Sequence, residues 1–403
     1  MKICYIASLF EPELGGGAAK VVFDLAHKMA EIGNNVSVIT TSTKNNQKMY
    51  LDGRIKIYQI YAPNLYWIYD KDNQLNYKKI IFQLIDIWNP FVKKKVKLII
   101  QNESPDIVHV HKLRGLSPSV WNAAKDSGIR KIIHTCHDYE LISPQGALVG
   151  RIGKLSLQKS FPINIYQEIR SKNSNHVSDA LAPSKFIIQK HLDFRFFSKA
   201  KINVIPNSHG YTHNQIREFK LIKFFRSQEL RLLFIGRLVQ EKGIEILCDV
   251  VSNLCLQGHK IFLDVIGSGE FETVLKEKKS YKDRIFFHGS HFGQRKIDYL
   301  KSCDVLVVPS NWPESFGIVI TEAFAFGKPV IASNIGAIPE IVKEGYNGFF
   351  FEPDNKEQLQ ATILNIYQDM TILTEMRENC FQSAERYCVE NFIDSHLQIY
   401  DEK

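Results

Sequence analysis

Two doubly wound α/β domains are predicted by three features of this sequence. Short apolar runs of strand length alternate with longer amphipathic stretches along the whole chain, the pattern of parallel sheets covered by helices. The chain has 403 residues, enough for two domains of roughly 200 residues each, every one with its own core. The alternation fails once, between Pro206 and Leu230, where polar and basic residues dominate, and the interdomain linker is placed there.

In chain order, the strands of the first half are expected near Lys2–Ala7, Asn35–Thr40, Ile55–Tyr61, Ile107–Val110, Lys131–Thr135, Ala180–Ala182 and Ile202–Ile205. Those of the second half are expected near Arg231–Ile235, Lys260–Ile266, Ile285–His288, Val305–Val308, Pro329–Ala332 and Gly348–Phe351. The clearest is Asp304–Val308, an apolar run that reads as a buried parallel strand. From Asn355 onward the pattern is helical. No internal repeat or low-complexity tract interrupts it.

Composition removes several function classes. Seven cysteines show no C-x-x-C pairing, as expected of reduced thiols in a cytoplasmic protein. The first apolar run meets Glu11 and Glu13 rather than a small-residue cleavage site, so it does not read as a secretion signal. No apolar stretch approaches the roughly 20 residues that span a bilayer. The net charge of +8 is unevenly spread: Met1–Gly210 holds 29 Lys and Arg against 16 Asp and Glu, and the remainder holds 22 against 27. A basic N-terminal half calls for an anionic partner. No nucleic-acid motif is present, and an anionic membrane surface fits better. Within that half, Trp88–Ile100 mixes aromatics with four lysines. It reads either as an interfacial element or as a solvated helix with its apolar side turned to the core.

The stretch Pro309-Ser310-Asn311-Trp312-Pro313-Glu314-Ser315-Phe316-Gly317-Ile318-Val319-Ile320-Thr321-Glu322-Ala323 carries most of the chemistry. It runs from a buried strand through a glycine turn into a helix, which points backbone N–H groups at an anion. Glu322 falls about one turn into that helix, within reach of sugar hydroxyls on the same ligand. Arg237 follows a strand and Gly236, and Lys242 stands five residues on. An Arg fork clasps phosphate oxygens at two points, and Lys adds a point charge. Gly15-Gly16-Gly17 after the first strand permits close approach to a phosphate. It lacks the G-x-G-x-x-G spacing of a dinucleotide fold, and plain turn chemistry stays open. His109 and His111 alternate with valines on one strand face. No third ligand at metal spacing accompanies them, so they read as structural.

The Glu314-x7-Glu322 spacing with Ser-Phe-Gly between resembles the signature of retaining glycosyltransferases of family 4, which have the GT-B fold. Eight further segments follow in family order: Gly15–Gly17, Pro105–His111, His134–Asp138, Ala182–Ser184, Val204–Asn207, Gly236–Leu238 with Glu241–Gly243, Gly267–Gly269 and His288-Gly289. Two positions depart. Ser208-His209-Gly210 stands where the family continues with Gly, an aliphatic residue and Asp, and Ala18-Ala19 stands where an acid or Arg is common.

The resemblance implies two Rossmann-like domains facing across a cleft: an acceptor domain over residues 1–208 and a donor domain over 209–387. A C-terminal helix, about 388–403, crosses back to the first. It implies transfer of a hexose-type sugar from a UDP- or GDP-sugar to a glycan or lipid-linked hydroxyl with retention, without metal or other cofactor, at the inner face of the plasma membrane. His137, Arg237, Lys242 and Glu314 would be catalytic. Gly16, Gly17, Gly236, Gly267, Ser315, Phe316, Gly317, Ile318 and Glu322 would bind the donor with Arg237 and Lys242, and His111 and Asp138 would lie on the acceptor side. Asp138 either meets the acceptor or caps a turn. The rivals are a hydrolysing sugar-nucleotide epimerase and a non-catalytic nucleotide-sugar sensor. An oxidoreductase lacks its fingerprint, and a pyridoxal-phosphate phosphorylase would be far longer.

Overall fold

The computed structural model describes residues 1–144, 146, 161–222, 228–278, 281 and 284–402. These form two units, one of Met1–Pro206 with Ile393–Lys403 and one of Asn207–Phe392.

The first unit is built on an eight-stranded sheet. Its elements are β1 (Lys2–Ala7), α1 (Pro12–Glu31), β2 (Asn35–Ser42), β3 (Lys48–Asp52), β4 (Ile55–Tyr61), α2 (Asn76–Ile85), α3 (Pro90–Glu103), β5 (Ile107–Lys112), α4 (Ser119–Asp126), β6 (Lys131–Thr135), α5 (Phe161–Asn173), β7 (Asp179–Ala182), α6 (Lys185–Asp193) and β8 (Lys201–Val204). The strand order is β3-β4-β2-β1-β5-β6-β7-β8. Only β3 runs antiparallel, paired to β4. Strand β3 is absent from the sequence expectation because it is an edge strand whose apolar residues, Met49 and Leu51, point to solvent. No buried face marks such a strand in the sequence.

Helix α3 shows how the helices attach. Asn89 caps it by accepting from the N–H groups of Phe91 and Val92, a bond set worth about 0.5–2 kcal/mol. Val92, Val96 and Ile100 are buried along one side, as the i, i+4, i+8 spacing requires. Its lysines are partly engaged, Lys93 with Asp126 at 2.7 Å and Lys95 with the Tyr61 carbonyl at 2.9 Å. Of the two readings of Trp88–Ile100, the helix with a core-facing apolar side is the one observed. Nearby, the buried pair Asp86–Arg170 (3.0 Å) ties α5 to the end of α2.

The second unit carries a six-stranded parallel sheet. Its elements are α7 (His213–Lys220), β9 (Leu230–Ile235), α8 (Ile244–Leu256), β10 (Ile261–Ile266), α9 (Glu272–Glu277), β11 (Ile285–Gly289), α10 (Gly293–Ser302), β12 (Val305–Val308), α11 (Ile318–Ala325), β13 (Val330–Ser333), β14 (Gly348–Phe351), α12 (Lys356–Gln368) and α13 (Thr371–Glu385). The order β11-β10-β9-β12-β13-β14 leaves a core on each face. Leu232 and Phe234 pack with α8 and α12, whereas Leu233 packs with α10, α11 and α13.

The expected linker is corrected in part. The chain passes to the second unit after Pro206, at the edge of the expected segment, but His213–Lys220 within it is the helix α7, and residues 223–227 lie outside the described residues. Thr212 and Gln215 form a reciprocal capping box at the start of α7. Ile216 is buried, and Phe219 stacks on Phe326 at 4.4 Å. Ile216 and Phe219, three residues apart, place the two apolar side chains of α7 on one face, a pattern too short to stand out among six polar residues.

The last helix, α14 (Val389–Asp401), behaves as expected: from Ile393 the chain belongs again to the first unit. Ile393, His396, Ile399 and Tyr400 are buried, and Lys201 pairs with Glu402 at 2.6 Å.

Candidate active site

In the second unit the loops at the carboxyl ends of β9, β10 and β12 gather the predicted donor residues. Two close backbone approaches hold these loops together. A side chain on Gly267, whose φ is +147°, would meet the Gly236 carbonyl oxygen at 1.8 Å. Gly267 is thus needed to let two loops touch, whatever else it contacts. Likewise a Cβ on Gly336 would lie 2.5 Å from the Glu314 nitrogen, and Ala337 N–H donates to the Glu314 carbonyl at 2.9 Å. The Glu314 backbone is therefore set from behind by a glycine turn that carries no mark in the sequence.

The Asn311 N–H donates to the Glu241 carbonyl at 3.1 Å, which brings Lys242 beside Glu314. Lys242 Nζ lies 2.6 Å from Glu314 Oε1, and Ser310 Oγ donates to the same oxygen at 2.6 Å. Burial pushes the Glu314 carboxyl up. The Lys242 charge and the hydrogen bonds from Lys242, Ser310 and Trp312 outweigh it, so the pKa is held below the ordinary glutamate value. Glu314 is not a helix cap: the N-cap of α11 is Gly317, with no side-chain cap bond. Phe316 is buried in the core and offers only its backbone, while Ser315, Gly317 and Ile318 are half-buried at the opening of α11.

Glu322 is 3% exposed. Its Oε1 accepts from Lys296 Nζ of α10 at 2.6 Å, and its Oε2 has no hydrogen-bond partner among the described residues. A buried carboxylate oxygen without a donor costs stability unless a ligand hydroxyl completes it. Arg237 is exposed beside Gly236 and has no ion-pair partner among the described residues.

The first unit holds the remaining predicted residues. His137 Nε2 lies 2.9 Å from His111 Nδ1, so one ring donates and the other accepts. His111 stacks on His109 with centroids 4.1 Å apart. His109 in turn meets Tyr400 Oη and Thr135 Oγ1, each at 2.7 Å. His109 and His111 are thus both buried and hydrogen-bonded within the first unit. Burial lowers the His137 pKa to about 3, with the Lys112 charge adding to it and Asp138 opposing. His137 is therefore a neutral imidazole that can exchange hydrogen bonds with a hydroxyl. His111 is 1% exposed and reaches His137, not the surface. Asp138 Oδ1 accepts from Glu140 N–H at 2.9 Å, the turn-capping arrangement, and Oδ2 pairs with Lys112 at 3.0 Å.

Gly16 breaks the α1 helix with φ 65° and ψ −158°. Both Gly16 and Gly17 are exposed there, so the helix is kinked at the glycines. Of Glu140–Gln167, which follows Asp138, Gln145 and residues 147–160 lie outside the described residues. Its first residue, Glu140, is buried and accepts from Leu113 N–H at 2.6 Å.

Two family models cover most of the chain: "Glycosyltransferase Family 4" matches residues 15–208 and "Glycosyl transferases group 1" matches 215–387. The chain is a family 4, group 1 glycosyltransferase. A Klebsiella pneumoniae protein, described as an uncharacterised 42.6 kDa protein in the cps region, is 30% identical to this glycosyltransferase over 87% of the chain and 90% of its own length. Among solved structures, a sucrose-phosphate synthase from Thermosynechococcus elongatus superposes with a TM-score of 0.76 at 20% identity, covering 99% of this chain and 98% of the other. The Anabaena protein HepE, solved with UDP, superposes with a TM-score of 0.69 at 18% identity over 99% of both. The fold is GT-B.

Ser310, Lys296 and Gly336 touch the candidate acids Glu314 and Glu322 without being expected from the sequence. Their signals are faint: Ser310 sits four residues before Glu314, Lys296 lies on a separate helix, and Gly336 follows β13. One group among the described residues has metal-ligand geometry, His213, Cys388 and Glu390, with ligand atoms within 4.8 Å of one another. Glu390 there already accepts from the His213 N–H.

Proposed function

We propose that this glycosyltransferase moves a hexose-type sugar from a UDP- or GDP-sugar to a hydroxyl of a glycan or lipid-linked acceptor, with retention, during polysaccharide synthesis. The observation that carries the reading is the pair of buried carboxylates flanking the start of α11. Glu314 is held ionised against Lys242, and Glu322 keeps one oxygen without a donor. The second unit is read as the donor side and the first as the acceptor side. A UDP complex of the similar Anabaena structure supports a nucleotide-sugar donor, and the cps-region relative supports polysaccharide as the destination.

In this mechanism Glu322 Oε2 accepts from the ribose hydroxyls, and the N–H groups at the opening of α11 meet the donor's phosphate or sugar hydroxyls. Arg237 and Lys242 stabilise the negative charge that grows on the diphosphate as the glycosidic C–O bond breaks. The acceptor oxygen forms the new bond on the same face, and its proton passes to the departing phosphate oxygen. His137 hydrogen-bonds the sugar. Glu314 lies by the transferred sugar and keeps Lys242 in place.

The acceptor is read as lipid-linked, and the protein as cytoplasmic and peripheral on an anionic membrane. The support is α2, where Tyr77, Ile80, Ile81 and Leu84 are all exposed beside Lys78 and Lys79. No described helix is long and apolar enough to cross a membrane. The deciding experiment is nucleotide release from UDP-, GDP-, ADP- and dTDP-sugars, with and without a membrane lipid extract. Release from one donor that rises with the extract supports the reading. Free sugar released regardless of acceptor supports the epimerase.

A further inference from the structure

His213, Cys388 and Glu390 of the second unit each offer one ligand atom, and these atoms lie within 4.8 Å of one another. They come from two segments that the fold straps together. The Tyr387 carbonyl accepts from the His209 N–H at 3.2 Å and from Ser208 Oγ at 3.0 Å, and the Val389 N–H donates to the Tyr211 carbonyl at 3.0 Å. These bonds bring the start of α7, whose first residue is His213, beside the start of α14, whose second residue is Glu390. Cys388 stands just before α14 and is buried.

We propose that His213, Cys388 and Glu390 bind Zn²⁺ as a structural clip between these two segments. Three observations carry the assignment. The first is the donor set. Imidazole nitrogen, thiolate sulfur and carboxylate oxygen are the ligand types zinc takes, whereas Mg²⁺ and Ca²⁺ call for oxygens alone. The second is spacing. Bonds of about 2.0–2.3 Å set the ligand atoms of a tetrahedral zinc about 3.3–3.8 Å apart, so a side-chain contraction of about 1 Å closes the three around an ion. The third is charge. Glu390 and Glu385 both act on the Cys388 thiol, and neither acid has an ion-pair partner among the described residues. Glu390 accepts from the His213 N–H at 3.2 and 3.3 Å, which aims the carboxylate at the residue that carries the imidazole and leaves lone pairs on both oxygens. On binding, Zn²⁺ takes the place of the thiol proton, which leaves to solvent, and water fills the fourth position. The ion holds structure and takes no part in transfer, so the inference is independent of the transfer reading.

The test uses the full chain, prepared without an affinity tag and stripped with EDTA, then titrated with Co²⁺ and Zn²⁺. One equivalent of Co²⁺ is expected to give the near-ultraviolet charge-transfer band of thiolate-bound cobalt, and one equivalent of Zn²⁺ to erase it. Zn²⁺ should also raise the melting temperature, because it binds the folded chain in preference to the unfolded one. Cys388→Ser should abolish the band. His213→Ala and Glu390→Gln, which alter a half-buried and an exposed side chain, should each weaken Zn²⁺ binding about tenfold or more, and they decide the matter should Cys388→Ser not fold. No band in the wild-type chain overturns the site. A band that survives in Cys388→Ser, and so belongs to another of the free cysteines, overturns it too. So does Zn²⁺ affinity unchanged in both His213→Ala and Glu390→Gln.

Discussion

Lys242 and Glu314, 72 residues apart in the chain, meet at 2.6 Å between Nζ and Oε1. The cation assigned to the diphosphate and the acid assigned to the sugar therefore set each other's position. A donor entering here meets a preformed ion pair that costs no reorganisation when charge develops.

Arg237 is exposed and free of ion-pair partners among the described residues, so its loss should leave the fold intact. Arg237→Ala is expected to cut turnover by roughly 100-fold or more, the scale of removing one charge-stabilising group. Thermal unfolding should shift little. Steady-state nucleotide release beside a melting curve checks both, and near-wild-type turnover would sink the diphosphate assignment.

The lowered pKa of Glu314 makes a pH-dependent statement. A carboxyl held below its unfolded value contributes stability that is present in full above that value and is lost as pH falls through the folded one. The stability difference between wild type and Glu314→Gln should be flat above the ordinary glutamate pKa and should narrow below it. Denaturant midpoints from neutral to acid pH measure this. A difference that is constant throughout would show that Glu314 carries no such linkage.

Burial lowers several histidines, His137 to about 3 and His191 and His209 to about 4, with His109, His111 and His134 well down. Unfolding exposes them to protons near pH 6.5, so the unfolded state binds more protons below that pH. Stability should fall as pH drops from about 6.5 toward 4, by about 1.4 kcal/mol per pH unit for each titrating histidine. His191→Phe should flatten the slope. For the same reason His137 stays neutral through the working range, and kcat should show no inflection near 6.5 from its protonation.

Ile80 and Leu84 of α2 are each 59% exposed. The double variant Ile80→Glu, Leu84→Glu should lose flotation with anionic vesicles while retaining nucleotide release from the donor with a soluble acceptor present. Each buried apolar side chain contributes roughly 1.5–3 kcal/mol, so two losses suffice for a shift of over tenfold. Unchanged flotation would remove α2 as the contact.

Most strands were legible because their residues are buried on both sheet faces, which leaves continuous apolar runs such as Val305–Val308 and Ile3–Ala7. The acidic pair and its glycine turn were legible too, since strand, loop and helix follow in one short segment. Two elements were hidden for opposite reasons. Strand β3 turns its apolar residues outward, and α7 buries only part of a mostly polar octet. By itself, then, the sequence determined the α/β class, the family resemblance and the residue types at the donor loops, because those depend on local pattern. Only the tertiary structure decided that Lys242 meets Glu314, that Lys296 reaches Glu322, and that His111 acts on His137. Each of those joins groups on separate loops, strands or helices, and no spacing along the chain records which side chains the packing will bring within hydrogen-bond distance.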